Sequence, residues 1–462
     1  MRSSVLLLAA LALSLPVAAS AQTVPSGLSG TWSGAAITDG IPTLFSLDIE
    51  VIGDSLATTL TQPYNGYETF GYAFAYTPPE ADQPGDGFLT SGLYGDMRLL
   101  VDLQEQNLRG TVSEEDSVVA TVFLQRVIPF GLPRFDSREF RVVSGRDTLA
   151  GALFTPGEPE FRGGPHPTVV LVTGRGYGGR WEMTWLARLY ARNGIAAVVW
   201  DGRGQGRSTG DRTTVTSAQR FADVNAILDW SREQPEVDAE QIGVQGNSAG
   251  GWIGPLAIQD RDDVAFLVTT VGPAESLADQ QAHTTTQLME DSGTTYTDAE
   301  YQAAFEYQRS LVPMAQRGAT WEEYEAVNAA AREARWAEHA LIPDSLGLPD
   351  LDYYARMPGL DPAPALAEWN QPFLAVLGSE DWIVPPEHNV ELMETLLADN
   401  PDATITVLNM GHALERPEAV VGEGEWPFRY RRDWTRVPEL YTTLLGWLDA
   451  RTTTVAEREA GG

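Results

Sequence analysis

The chain has 462 residues, 43% hydrophobic and 21% charged, which is enough for two or three domains with cores of their own. Acidic residues number 64 against 31 basic ones, and the net charge of −33 excludes nucleic acid and anionic membrane as partners, since both require clustered positive charge. There is no cysteine, so neither a disulfide nor a lipid-modified cysteine forms, and every basic residue is arginine, which fits either genome composition or adaptation to salt.

Residues 1–21 have the form of an export signal. Arg2 supplies a short positive start, Val5 to Ala18 an apolar core, and Ala19-Ser20-Ala21 a small-residue cleavage pattern before Gln22. The apolar run is short for a retained membrane anchor. The mature protein is therefore expected outside the cytoplasm, periplasmic or secreted, without membrane insertion.

Residues 22–130 form a β-rich region. Segments such as Leu44 to Val51 and Arg98 to Leu103 alternate apolar and polar residues between Gly, Asp, Asn and Pro turns, which predicts a small barrel or a sandwich. The region has no histidine, and its expected role is structural, docking or substrate-orienting. Proline and glycine from Val127 to Pro133 mark a linker.

A different pattern fills residues 131–462. A hairpin-like pair, Phe140 to Val143 and Leu149 to Leu153, precedes short apolar runs at Thr168 to Val172, Ile195 to Trp200, Ile242 to Gln245, Val264 to Thr270, Phe373 to Leu377 and Ile405 to Leu408. Helical stretches separate these runs, and such alternation predicts a mostly parallel sheet with helices on both faces. Catalytic groups then gather beyond the carboxyl ends of the strands. One interval, about 273–367, is helix-rich throughout, with capping boxes at Thr297 to Glu300 and Thr320 to Glu323. It reads as an inserted cap. Its aromatics, Trp321, Tyr324, Trp336, Tyr353 and Tyr354 among them, either pack the insert onto the sheet or line a substrate pocket.

Gly246-Asn247-Ser248-Ala249-Gly250 is a G-x-S-x-G pentapeptide placed between a strand pattern and a helix pattern, the context in which a strained turn presents a nucleophilic serine. Gly206-Arg207-Ser208-Thr209-Gly210 fits the same pentapeptide, but it lies in a glycine-rich run too irregular for a strand-to-helix turn. Ser248 is the predicted nucleophile. It needs an imidazole to accept its proton and a carboxylate to fix the tautomer of that imidazole. Asp381 follows the Phe373 run, and His412 follows the Ile405 run. Glu380 is the rival carboxylate, one residue earlier and so aimed the other way. His166, His283, His339 and His388 are the other histidines, and none follows a parallel strand. Two backbone N–H groups must hold the oxyanion: that of Ala249, and that of Arg175 in the loop Thr173 to Gly179. The bland reading of that loop is a plain glycine-rich turn; it lacks the lysine and the glycine spacing of a phosphate loop.

These residues resemble the α/β-hydrolase superfamily, and within it exported bacterial serine hydrolases that join an N-terminal all-β domain to an α/β-hydrolase fold with a helical cap insertion. The resemblance rests on Gly30-Thr31-Trp32-Ser33-Gly34, the Thr173 to Gly179 loop, Asp201 to Ser208, the elbow with Gly251, and the Asp381 and His412 segments. Thr173-Gly174 stands where relatives often carry His-Gly. Arg180 and Glu182 match charged positions after this loop, with loop support or substrate contact as the implied role. The resemblance implies carboxylesterase or related acyl-hydrolase activity with no metal and no organic cofactor. The substrate is then a small ester, or, in a second reading, a short peptide or amide. A third reading is a non-catalytic binding protein that keeps the fold.

Overall fold

The computed structural model describes residues 24–38, 41–61, 70–71, 73–80, 83, 85–91, 96–114, 117–127, 135–157, 164–415 and 436–452. The export-signal segment, and the linker beyond Val127, lie outside them. The described residues fall into two compact units, one running to Val127 and the other starting at Phe135.

The first unit consists of β1 (Gly30–Thr38), β2 (Ile41–Ile52), β3 (Ser55–Thr61), β4 (Phe70–Gly71), β5 (Ala75–Thr77), β6 (Phe88–Ser91), β7 (Asp96–Asp102), β8 (Asn107–Glu114) and β9 (Ser117–Arg126). They form one nine-stranded sheet in the order β4-β3-β2-β1-β9-β8-β7-β6-β5, so the first and last strands pair at its middle. Alternate residues Trp32, Leu47, Leu89, Leu99, Leu108 and Leu124 are fully buried in a cluster drawn from this unit alone. All the described strands of this unit belong to that one sheet. Complete burial on one face of a single sheet requires the sheet to curl over its own core, as in a barrel. Trp32, from the Gly-x-Trp-x-Gly opening, belongs to that core and donates its Nε1–H to the Leu28 carbonyl at 2.9 Å.

In the second unit β10 (Phe135–Ser144) and β11 (Asp147–Pro156) form a hairpin, followed by β12 (His166–Val172), α1 (Trp181–Arg192), β13 (Ala196–Trp200), α2 (Ser217–Arg232), β14 (Val237–Asn247), α3 (Gly250–Ile258) and β15 (Phe266–Thr270). A helical insertion follows: α4 (Leu277–Asp291), α5 (Asp298–Gln316), α6 (Trp321–Arg332), α7 (Pro349–Arg356) and α8 (Ala363–Ala367). Then come β16 (Phe373–Gly378), α9 (Pro386–Leu396), β17 (Ala403–Leu408) and α10 (Pro438–Asp449). The sheet order is β10-β11-β13-β12-β14-β15-β16-β17, antiparallel through the hairpin and parallel from β13 to β17. This is the α/β-hydrolase arrangement.

Period-two alternation divides the strands between two cores. Val169, Leu171, Val268 and Val376 meet α1 and α10 on one face, whereas Val170, Val172, Val244 and Leu377 meet α2, α3 and α9 on the other. The insertion packs on the second of these cores. Its α5 and α6 start at the two capping boxes, with Thr297 N–H to Glu300 at 2.8 Å and Thr320 N–H to Glu323 at 2.7 Å. Tyr324, Trp336, Tyr353 and Tyr354 are buried and Trp321 is half-buried, so packing accounts for most of the aromatic content. Among the described residues no helix is long and apolar enough to cross a membrane.

Candidate active site

Ser248 stands between the end of β14 and the start of α3 with φ at 54°, the left-handed region that side-chain-bearing residues seldom enter. The glycines two residues to either side of it tolerate no side chain. A Cβ at Gly246 would lie 2.1 Å from the Gly250 carbonyl oxygen, and one at Gly250 would lie 2.5 Å from the Val172 carbonyl oxygen. Both obstacles are backbone, so the glycines are what let strand, turn and helix close around the serine. The turn is tied by Ser248 N–H to Thr270 O at 2.9 Å and Gly251 N–H to Ser248 O at 2.7 Å.

His412 follows β17 and Asp381 follows β16, so the carboxyl ends of β14, β16 and β17, with β15 between the first two, bring the three residues together. Ser248 Oγ lies 2.8 Å from His412 Nε2, and His412 Nδ1 lies 2.8 and 3.0 Å from the two carboxylate oxygens of Asp381. Asp381 is 2% exposed, and its Oδ1 also accepts the Ile383 and Val384 N–H groups at 3.0 and 2.9 Å, which fixes the carboxylate before it meets the imidazole. The rivals stand elsewhere. Glu380 is exposed and accepts from Ser379 Oγ at 3.3 Å. His166 begins β12, at the other end of the strand from the Ser248 rim. His283 Nδ1 sits 2.5 Å from Glu275 Oε2 and its ring stacks on His388, while His339 meets the Tyr296 hydroxyl at 3.0 Å. Ser208 Oγ donates to the Asp201 carbonyl at 2.6 Å and accepts the Ala150 N–H at 2.8 Å, a turn-closing role.

The Thr173 to Gly179 loop, between β12 and α1, is braced from below. Arg220 of α2, 1% exposed, donates to the carbonyls of Thr173 and Gly174 at 2.8 and 2.9 Å and lies 4.7 Å from the centre of the Tyr177 ring. Burial lowers the pKa of its guanidinium from the ordinary arginine value. Arg180 and Glu182 also lie under this loop. Arg180 is buried, pairs with Asp201 at 3.3 Å and Glu139 at 3.1 Å, and gives its N–H to Asp201 at 2.9 Å. The Glu182 carboxylate packs so closely on the loop that a Cβ at Gly178 would come within 1.9 Å of it. Burial raises the Glu182 pKa, against the pull of Arg220 and Arg212.

Ser248, Ala249, Trp252 and Arg175 line a cavity of about 60 Å³ together with Pro273, Ile383 and Val384, and Leu277, Gln280, Gln281 and Tyr353 close it from the insertion. Arg180 and Glu182 do not line it. The Arg175 side chain reaches across to the insertion, ion-pairing with Asp350 at 2.5 Å and lying 4.3 Å from the centre of the Tyr353 ring. Sequence reasoning missed this clamp and the two glutamines. Leu277, Gln280 and Gln281, at spacing i, i+3, i+4 on α4, were the one signal available.

Residues 144–413 match the family described as X-Pro dipeptidyl-peptidase (S15 family). An uncharacterised 31.7 kDa protein of Escherichia coli is 29% identical over 86 residues, which are 19% of this chain and 30% of that relative, so the likeness spans under a third of its length. Among solved structures, an esterase of Pyrococcus furiosus is 17% identical, covering 69% of this chain and 92% of that one with a TM-score of 0.44. An acylaminoacyl peptidase of Pyrococcus horikoshii is 16% identical, covering 91% and 56% with a TM-score of 0.43. The family match takes in the strand ends that bear Ser248, Asp381 and His412 and extends over more than half of the chain. The chain belongs to the X-Pro dipeptidyl-peptidase (S15) family, and it is a hydrolase of the α/β-hydrolase fold.

Proposed function

We propose that the protein is a serine carboxylesterase acting on small, uncharged acyl esters. Ser248 Oγ attacks the ester carbonyl carbon while His412 Nε2 takes the hydroxyl proton, and Asp381 holds the imidazole and stabilises its positive charge. The N–H groups of Ala249 and Arg175 receive the oxyanion. Collapse of the tetrahedral intermediate breaks the bond to the alcohol, which leaves with the proton from His412. Water, deprotonated by the same imidazole, then attacks the acyl-serine and releases the carboxylic acid.

The observation that carries this reading over a dipeptidyl-peptidase is the lining of the cavity. A peptidase that releases dipeptides must accommodate a free α-ammonium, and no carboxylate is among the cavity's described lining residues, which include the cation Arg175. The volume, room for about two waters, suits an acetyl-sized group. The family match favours a second reading, cleavage of short peptides by the same three residues.

A fluorophosphonate should label the wild type and Ser208→Ala but not Ser248→Ala. Failure of the wild type to label would leave a binding protein on a hydrolase fold. Turnover of p-nitrophenyl acetate should exceed that of X-Pro anilides by orders of magnitude; the reverse preference would replace the esterase with the peptidase. We also propose, on residues 1–21, that the enzyme works outside the cytoplasm, which fractionation of producing cells would test.

A further inference from the structure

Tyr353 and Tyr354 are adjacent on α7 and both are buried, yet their hydroxyls fare differently. Tyr354 donates to Gln281 Oε1 at 2.7 Å. The Tyr353 hydroxyl has no hydrogen-bond partner among the described residues, although the residue is 6% exposed and lines the cavity that holds Ser248. Buried hydroxyls in native proteins nearly always have a partner, and an exception at a cleft calls for one that arrives with the ligand or solvent.

The surroundings define what kind of partner that is. Burial raises the Tyr353 pKa above the ordinary phenol value, against the opposing pull of Arg220, Arg175 and Arg356, so the group stays a neutral hydroxyl. Positive charge on that side favours an orientation with the phenol oxygen toward the arginines and the proton away from them. The Arg175 guanidinium, held by Asp350, covers the ring and limits its movement. The outcome is a fixed, neutral donor without an acceptor, on a residue of the insertion that lines a cavity of about 60 Å³.

We infer that Tyr353 contacts the substrate, donating a hydrogen bond from its hydroxyl to an oxygen of the acyl ester seated against Ser248. The inference rests on the esterase reading. It makes the insertion part of the binding machinery, and it favours substrates that present a neutral acceptor oxygen on the insertion side of the scissile bond.

Tyr353→Phe and Tyr354→Phe, compared in the full chain, test this. Each removes one oxygen. Tyr353→Phe deletes a hydroxyl that satisfies nothing in the folded protein, so it should melt at or above the wild-type temperature while kcat/KM for p-nitrophenyl acetate falls about tenfold or more. Tyr354→Phe breaks an existing bond and should melt lower. A Tyr353→Phe enzyme within twofold of wild-type kcat/KM overturns the inference and leaves a bridging water as the partner. Should that variant melt well below wild type, 3-fluorotyrosine at 353 decides, because it keeps the ring and strengthens the donor: kcat/KM must change by at least twofold, and no change overturns the inference. Fluorophosphonate labelling of the wild type separates the two layers. Without labelling the serine-hydrolase reading itself fails, whereas labelling with an unaffected Tyr353→Phe sinks only the role of Tyr353.

Discussion

The rim of the parallel sheet and the helical insertion face each other across one cavity, but they hold their side chains by different means. At the rim, Ser248, Asp381 and His412 are fixed by backbone: a left-handed turn between two obligatory glycines, a carboxylate that receives two N–H groups, and strand ends of one parallel sheet. In the insertion, Leu277, Gln280, Gln281 and Tyr353 are held by packing and by bonds between side chains, such as Tyr354 to Gln281 and Arg175 to Asp350. Backbone constraint tolerates little variation, whereas side-chain packing tolerates much. Damage at the rim should therefore slow every substrate alike, and damage in the insertion should change which substrates are favoured.

The largest effect expected is that of Asp381→Asn. The replacement keeps the volume but offers the imidazole a single acceptor, which the Ile383 and Val384 N–H groups already compete for. With the tautomer of His412 no longer fixed, kcat should fall by about 10³–10⁴-fold. Measured across acetyl, butyryl and hexanoyl esters, the factor should be nearly constant. A factor that varies tenfold along that series would break the division between rim and insertion.

Gly250→Ala comes next. A Cβ there meets the Val172 carbonyl oxygen at 2.5 Å, and neither backbone can retreat without parting β12 from α3. A loss of about 3 kcal/mol in stability is expected, read from the urea midpoint. An unshifted midpoint would mean that the elbow is less constrained than its geometry implies.

Leu277→Ala probes the insertion. Leu277 lines the cavity at Ser248 and also a larger one, about 550 Å³, bounded by α4, α5 and the Gly359–Asp361 turn. Shortening a side chain common to both walls should join them, so the hexanoyl-to-acetyl ratio of kcat/KM should rise about tenfold, the order of discrimination that a methylene or two provides in an apolar pocket. An unchanged ratio would remove Leu277 as the partition.

The same division explains what could be read from the sequence. The elbow, the parallel runs and the order of serine, aspartate and histidine were legible because backbone constraints leave local marks: glycine spacing, short apolar runs and a residue just beyond each strand. Ser208 shared the pentapeptide and was set aside by context, and its hydroxyl indeed serves the Asp201 turn. The capping boxes revealed the helices of the insertion but not the face each turns to the cavity. Arg175 and Asp350 are 175 positions apart, and nothing near either one announces the pair. Arg220 carries no local mark of its role, and it is buried on α2, where it holds two carbonyls of the loop next to Ser248. In the N-terminal unit, alternation marked the buried face of each strand but carried no information about β1 pairing with β9, the contact that makes one sheet instead of two.

The smallest effect expected lies at the edge of the rim, in Glu182. Its folded pKa is raised, chiefly by burial and against the attraction of Arg220 and Arg212, so the folded chain binds this proton more tightly than the unfolded one does. The stability this group contributes is therefore fully present below the unfolded carboxyl pKa, near 4.3, and is lost as pH rises through the folded value. Glu182→Gln has no such proton to lose. The unfolding midpoint of the variant relative to wild type should thus be more favourable at pH 7 than at pH 4, although Gln forgoes the attraction to the two arginines at the higher pH. Comparing the difference between variants cancels the titration of the other acidic residues. If the advantage shrank with rising pH, the arginines would outweigh burial, and the carboxylate would be a charged brace for the Thr173 to Gly179 loop, held there because its negative charge is needed.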